Sequence, residues 1–250
     1  MWRKAAPGAT VLKVELEGVD VATFETMTAE IASAYDDLPG LSLGWRFLYS
    51  PKKTLEDSNG FAVFGFNPGG DVFEPPMPSV EAGNAWLRSV ERWPSPNTQP
   101  YFLSLVGKML RGVAPEGTAP FLARSLTSNI SPFRTGGAIE LPRAAYLWSV
   151  AFWERHFDVL TAQRFILAVG NSDVRSPYAV LSALFSRNGW HAEPEDKMPC
   201  GWGSYVVRVC RLTKDGAGVV IAGVPHFSRF ETRDPATVGA LSQMLARALS

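Results

Sequence analysis

The run Phe61-Ala62-Val63-Phe64-Gly65-Phe66 constrains the fold more than any other stretch, because it passes straight into Asn67-Pro68-Gly69-Gly70-Asp71. Phe, Val and Phe at this density suit a strand covered on both faces. Pro68 removes an amide donor and Gly69-Gly70 opens φ values that other residues avoid, so the strand has to end there. Asn67 is the one polar side chain at the mouth of the turn. In an open α/β sheet the carboxyl end of a strand is where ligands bind. A Gly pair there lets a ligand approach the backbone and meet its N–H groups. A purely structural βα turn would read the same way.

A strand buried on both faces needs helices on both sides, and the rest of the chain supplies them. A helix is predicted around residues 22–35, ended by Leu38-Pro39-Gly40, and the aromatic segment Trp45-Arg46-Phe47-Leu48-Tyr49 follows it. After Asp71 a long excursion runs to about residue 100 through Pro75, Pro76, Pro78, Pro94 and Pro96; such excursions are functional or are linkers. A helix over 101–111 places Leu103, Val106 and Leu110 on one face. A second strand-to-loop unit over 124–133 again delivers an Asn, Asn129, ahead of a proline, Pro132. Pro142 suits the first turn of a helix over 142–160.

An apolar strand at 164–170 ends in Gly170-Asn171-Ser172-Asp173, and Ser176-Pro177 reads as N-cap and N1 of a helix stopped by Gly189. Strands over 205–212 and 218–224, joined by Lys214-Asp215-Gly216, form a hairpin. Asp234-Pro235 opens a carboxy-terminal helix. This alternation predicts a three-layer α/β/α sandwich around a central, mostly parallel sheet of four to five strands. No compositional boundary interrupts it. Residues 1–250 read as a single domain, with 1–44 as an N-terminal extension packed on it.

Composition narrows the function classes. Of 250 residues 46% are hydrophobic, enough for a sizeable core and against global disorder. Lys plus Arg and Asp plus Glu both total 24, so a nucleic-acid ligand would need a local basic face. Two cysteines, Cys200 and Cys210, cannot make a four-cysteine iron–sulfur or zinc site and are expected as reduced thiols. No metal and no cofactor are expected. The first residues carry no apolar signal-peptide core, and the apolar segment 144–153 is too short to span a bilayer. A soluble, cytoplasmic monomer without membrane contact is the expectation.

Four strand ends deliver polar side chains, Asn67, Asn129, Asn171 and His226, and a parallel sheet would bring them to one edge. Gly65-Phe66-Asn67-Pro68-Gly69 resembles the first active-site motif of the uracil-DNA glycosylase superfamily in its G-x-N-P-G form, that of the mismatch-specific and single-strand-selective branches. Pro225-His226-Phe227-Ser228-Arg229 resembles the second motif, usually H-P-S, and Ser128-Asn129 falls where several branches place a base-reading Asn. Phe227 departs from the usual Pro, and Arg229-Phe230 from the usual residues of the DNA-wedging loop. The resemblance covers roughly residues 45–249.

The resemblance implies a DNA glycosylase acting on uracil or another modified base flipped out of DNA. Asn67 would hold water beneath C1′, and His226 would stabilise charge developing on the base. Gly65, Phe66 and Asn129 would contact the base, and Asn129 offers both a donor and an acceptor for its edge. Phe73 would stack on the base or serve the core. Ser228, Arg229 and Phe230 would contact DNA, the last two filling the gap left by the flipped nucleotide. Arg134 joins Arg229 as a candidate phosphate contact. Asn129 capping a turn, Asn171 in ordinary turn chemistry and Asp71 as a solvated carboxylate are the plainer readings of those residues. Two other functions compete. One is a base-binding module of the same fold with weak or no catalysis. The other is an α/β hydrolase using Ser204 and His226, though Gly201-Trp202-Gly203-Ser204-Tyr205 lacks the second glycine of a nucleophile elbow.

Overall fold

Strand β1 (Phe61–Gly65) is buried at every position and has a strand on each side in a seven-stranded sheet in the computed structural model, which describes residues 23–88, 98–137, 140–227 and 231–250. Its alternate side chains enter different layers. Ala62 and Phe64 join one apolar cluster, while Phe61 and Val63 join the other. The period of two along a strand dictates this division. β3 (Phe165–Val169) divides in the same way, with Ile166 and Ala168 on one side and Phe165, Leu167 and Val169 on the other.

The first layer holds α1 (Phe24–Asp37), α5 (Arg143–Arg155), α6 (Phe157–Thr161) and α7 (Pro177–Arg187). The second holds α3 (Thr98–Met109), α4 (Thr118–Ala123) and α8 (Pro235–Leu249). A short helix, α2 (Ala85–Arg88), lies between β1 and α3 in the chain. The fold is therefore the expected α/β/α sandwich. Met27 and Ile31 of α1 are fully buried, so this part of the N-terminal segment belongs to the core; residues 1–22 lie outside the described residues.

β2 (Leu126–Asn129), β1, β3 and β7 (Ala217–Val224) are mutually parallel, in the order β2-β1-β3-β7. β6 (Val206–Lys214) pairs antiparallel with β7 as the expected hairpin. Two further strands, β4 (His191–Ala192) and β5 (Asp196–Pro199), pair antiparallel with β6 and raise the count beyond the four to five expected. Both are mostly exposed and β5 carries charge, so no apolar alternation announces them. Short charged strands of this kind discourage edge-to-edge association. The helix expected over 142–160 is broken at His156, where ψ turns to 38° and the imidazole Nε2 meets Glu30 Oε1 at 3.0 Å.

The segment from Trp45 to Tyr49 extends the sheet past β2. Tyr49 N–H donates to Thr127 O at 2.8 Å and Arg46 N–H to Pro132 O at 2.8 Å. The proline excursion then lies along this segment, with Met77 N–H donating to Trp45 O at 3.0 Å. Residues 72–84 are thus pinned chain, not a loose linker. Among the described residues no helix is long and apolar enough to cross a membrane.

Candidate active site

The chain leaves β1 toward β2 on one side, while it leaves β3 toward β7 on the other. The carboxyl ends of adjacent strands whose exits diverge in this way are where open α/β sheets take ligands. Register fixes the heights along that edge. Gly65 pairs with Asn129 and Val169 with Val224, and Phe64 pairs with Ala168 one step below. Asn67, Asn171 and His226 each lie two residues past Gly65, Val169 and Val224. Three of the four polar strand ends thus leave the sheet at its carboxyl edge two residues past paired strands, and Asn129 closes strand β2 at the same edge. β1 and β7 are two strands apart, about 10 Å across the sheet.

Asn67 is half-buried and its amide is oriented by acceptors. Nδ2 donates to Thr135 Oγ1 at 2.7 Å and reaches Pro68 O at 3.3 Å and Phe133 O at 3.5 Å. Thr135 in turn donates its hydroxyl to Gly137 O at 2.7 Å, so its oxygen is left to accept from Asn67. Two backbone carbonyls and a committed hydroxyl require the NH2 end of the amide on that side. Oδ1 must face the other way, where it can accept from a water.

Asn129 is only 5% exposed. It is packed over Gly65, where an added Cβ would lie 2.2 Å from its Oδ1; only glycine leaves room for that amide. Trp86 and Tyr49 close the same pocket and meet edge to face at 6.2 Å. Burial raises the Tyr49 phenol above its ordinary pKa, opposed by the Arg46 charge and then by the Asn129 side chain. Phe66 points to the opposite layer and stacks on Tyr146 at 6.4 Å, so Phe66 and Asn129 lie on opposite faces of the sheet. Phe73 is 58% exposed and does not serve the core; with Val72 it forms an apolar tip beyond the turn.

The Gly pair serves the protein itself. Gly70, at φ +135°, passes so close to Arg134 that a Cβ would fall 2.1 Å from its Nη2, whereas Gly69 faces open space. Arg134 is 5% exposed and donates to Glu74 Oε1 at 3.0 Å and Val72 O at 3.4 Å. Glu74 also pairs with Arg46. Arg134 is therefore a buried fastener of the excursion and no surface phosphate contact, contrary to the sequence expectation. Glu74 is shared by two guanidinium groups, and the exposed Asp71 in the Asn67 turn balances the remaining charge.

At the end of β7 the chain alternates. Pro225 and Phe227 are buried and His226 is exposed. Phe227 packs edge to face on Phe102 at 5.6 Å, which accounts for an aromatic where the resembled motif has Pro: it anchors the loop in the second core. Ser228, Arg229 and Phe230 lie outside the described residues. Asn171 is structural, since Nδ2 donates to Val206 O at 2.8 Å and Gly223 O at 2.7 Å and ties β3 to the hairpin. Asp71 is exposed. Ser204 occupies an exposed turn that leads into strand β6, so it lacks the strand-to-helix elbow of a hydrolase nucleophile. Cys200 and Cys210 are buried free thiols, and no cluster of three or more His, Cys, Asp or Glu among the described residues could hold a metal ion.

No protein-family model matches the chain, and no curated protein matches it.

Proposed function

We propose that this chain is a monofunctional DNA glycosylase that hydrolyses the N-glycosidic bond of uracil or another modified base flipped out of DNA. The observation that carries this reading is the orientation of Asn67. Its NH2 group is occupied by Thr135, Pro68 and Phe133, so its carbonyl oxygen is the end left to hold water at the carboxyl edge.

An amide is too weak a base to deprotonate water ahead of bond breaking. The C1′–N bond therefore breaks first, and its electron pair leaves with the base while the sugar becomes cationic. His226 donates a hydrogen bond to the base oxygen as negative charge grows there. Water held by Asn67 then adds to C1′ and gives up a proton, and the leaving base is protonated in turn. Asn129, covered by Tyr49 and Trp86, reads the base edge only when those rings move aside.

The lack of a strong base at Asn67 and the buried Phe227 where the resembled motif has Pro favour a second reading, a module that binds modified bases with weak or no catalysis. Incubation with uracil-containing and otherwise modified oligonucleotides, followed by alkaline cleavage of abasic sites, separates the two. Strand breaks that depend on the modified base support the glycosylase. Binding without breaks supports the module.

A further inference from the structure

Four cations lie over aromatic rings among the described residues. Lys52 over Phe24 and Arg155 over Trp148 are also paired with carboxylates, Glu25 and Glu30. Arg175, 5.3 Å from the centre of the Tyr146 ring, and Arg233, 3.8 Å from that of Trp202, have no carboxylate within ion-pair distance among the described residues.

Arg233 is held in place from several sides. Its backbone N–H donates to Cys200 O at 2.9 Å and its Nε to Gly201 O at 3.2 Å. Gly201, at φ +90°, comes so near that a Cβ would lie 2.8 Å from Arg233 Cγ. The adjacent Asp234 does not neutralise it, because that carboxylate caps α8 by accepting from Thr237 N–H at 2.8 Å. The guanidinium lies over Trp202 with its terminal nitrogens making no hydrogen bond among the described residues. Most of the ordering cost of a long side chain is then met before any ligand arrives.

The two arginines lie at the carboxyl edge in different layers. Arg175 belongs to the loop leaving β3 and covers Tyr146 of the α5 layer; Arg233 follows the loop leaving β7 and precedes α8. Arg175 thus leaves the sheet between the strands that carry Asn67 and His226, and Arg233 is tied to the Cys200–Gly201 turn beyond β7. We propose that Arg175 and Arg233 are phosphodiester contacts, one on each side of the nucleotide presented to Asn67. This rests on the nucleic-acid reading above and adds the residues that grip the strand. A planar guanidinium with free terminal N–H groups matches a phosphate in two-point geometry.

Fluorescence anisotropy of the full chain with a labelled, uracil-containing single strand, over a range of KCl concentrations, provides the test. Arg175→Gln and Arg233→Gln should each weaken binding roughly tenfold and lower the salt slope by about one. The double variant should lower it by about two. Arg233→Lys should restore the slope but not the full affinity. It also separates a lost contact from a lost fold. Trp202→Ala should weaken the wild type yet add nothing to Arg233→Gln, because the ring acts through the guanidinium.

Arg247→Gln is the control. It neutralises an exposed arginine at the far end of α8, where Leu249 packs near Gly60 ahead of β1, and it should change neither quantity. Salt-dependent binding by the wild type that the double variant retains in full would overturn this inference alone. Equal loss from Arg247→Gln would overturn it too, by showing diffuse charge attraction. Salt-independent affinity in the wild type would overturn both this inference and the nucleic-acid reading.

Discussion

Asn67 shows how one side chain acquires a direction. Its amide is symmetric in shape but not in chemistry, and Thr135 with two backbone carbonyls decides which end points away from them. Thr135 is thus a positioning residue. Thr135→Val keeps the shape and removes the acceptor, so the amide gains freedom to flip. Single-turnover excision should slow roughly tenfold, about the worth of one hydrogen bond, with DNA affinity retained. An equal loss in affinity would make Thr135 a binding residue. A different residue-scale effect concerns alkaline stability. Burial and the Glu195 carboxylate, which accepts the Tyr178 hydroxyl at 2.8 Å, raise the Tyr178 phenol far above its ordinary 10.0. The folded state therefore holds this proton more tightly than the unfolded chain does. The stability it contributes is complete below pH 10.0 and is lost as pH rises beyond it toward the folded value. Urea unfolding from pH 8.5 to 11 should show stability falling more steeply in the wild type than in Tyr178→Phe. Parallel curves would remove Tyr178 from the account.

At the scale of elements, the joint between β1 and β2 governs the Asn129 side of the site. Gly65 and Asn129 are register partners, and the absent Cβ is what admits the carboxamide. Gly65→Ala should cost about 1–3 kcal/mol of stability in chemical denaturation, the usual range for forced overpacking. Adding Asn129→Ala should recover most of that cost, since the clash is with the Asn129 amide alone; additive losses would contradict this joint. Much of this architecture is legible in the sequence. The strand at 61–65, its abrupt stop, the hairpin and the capped helices at Ser176-Pro177 and Asp234-Pro235 follow from local pattern and turn chemistry. What is not legible depends on contacts between distant segments. Thr135 meets Asn67 across 68 residues, and nothing in Arg134-Thr135-Gly136-Gly137 points to it. Glu74 and Arg134 look like surface charges until the excursion folds back over them. Tyr49 and Trp86 enter the site because the aromatic segment adds itself beside β2. β4 and β5 escape notice because their exposed residues have no alternation to detect.

Across the whole molecule the formal charge is zero, and acids accompany the bases at the carboxyl edge as well. Arg46 and Arg134 share Glu74 beside the exposed Asp71, while Arg175, whose loop also holds Asp173, and Arg233 make no ion pair among the described residues. The exposed apolar side chains Val72, Phe73, Val174, Trp202 and Tyr205 lie in loops or turns at the same edge. One face thus combines cations with apolar surface, the combination that grips an unstacked strand. The central claim is that this face delivers a nucleotide to Asn67 and His226 for bond cleavage. The most direct measurement is single-turnover release of free base from a uracil-containing single strand by the wild type and by Asn67→Ala, with affinity measured on the same strand. The account predicts release by the wild type, a loss of roughly two to three orders of magnitude in rate in Asn67→Ala, and nearly unchanged affinity. Release at the wild-type rate by Asn67→Ala would contradict it.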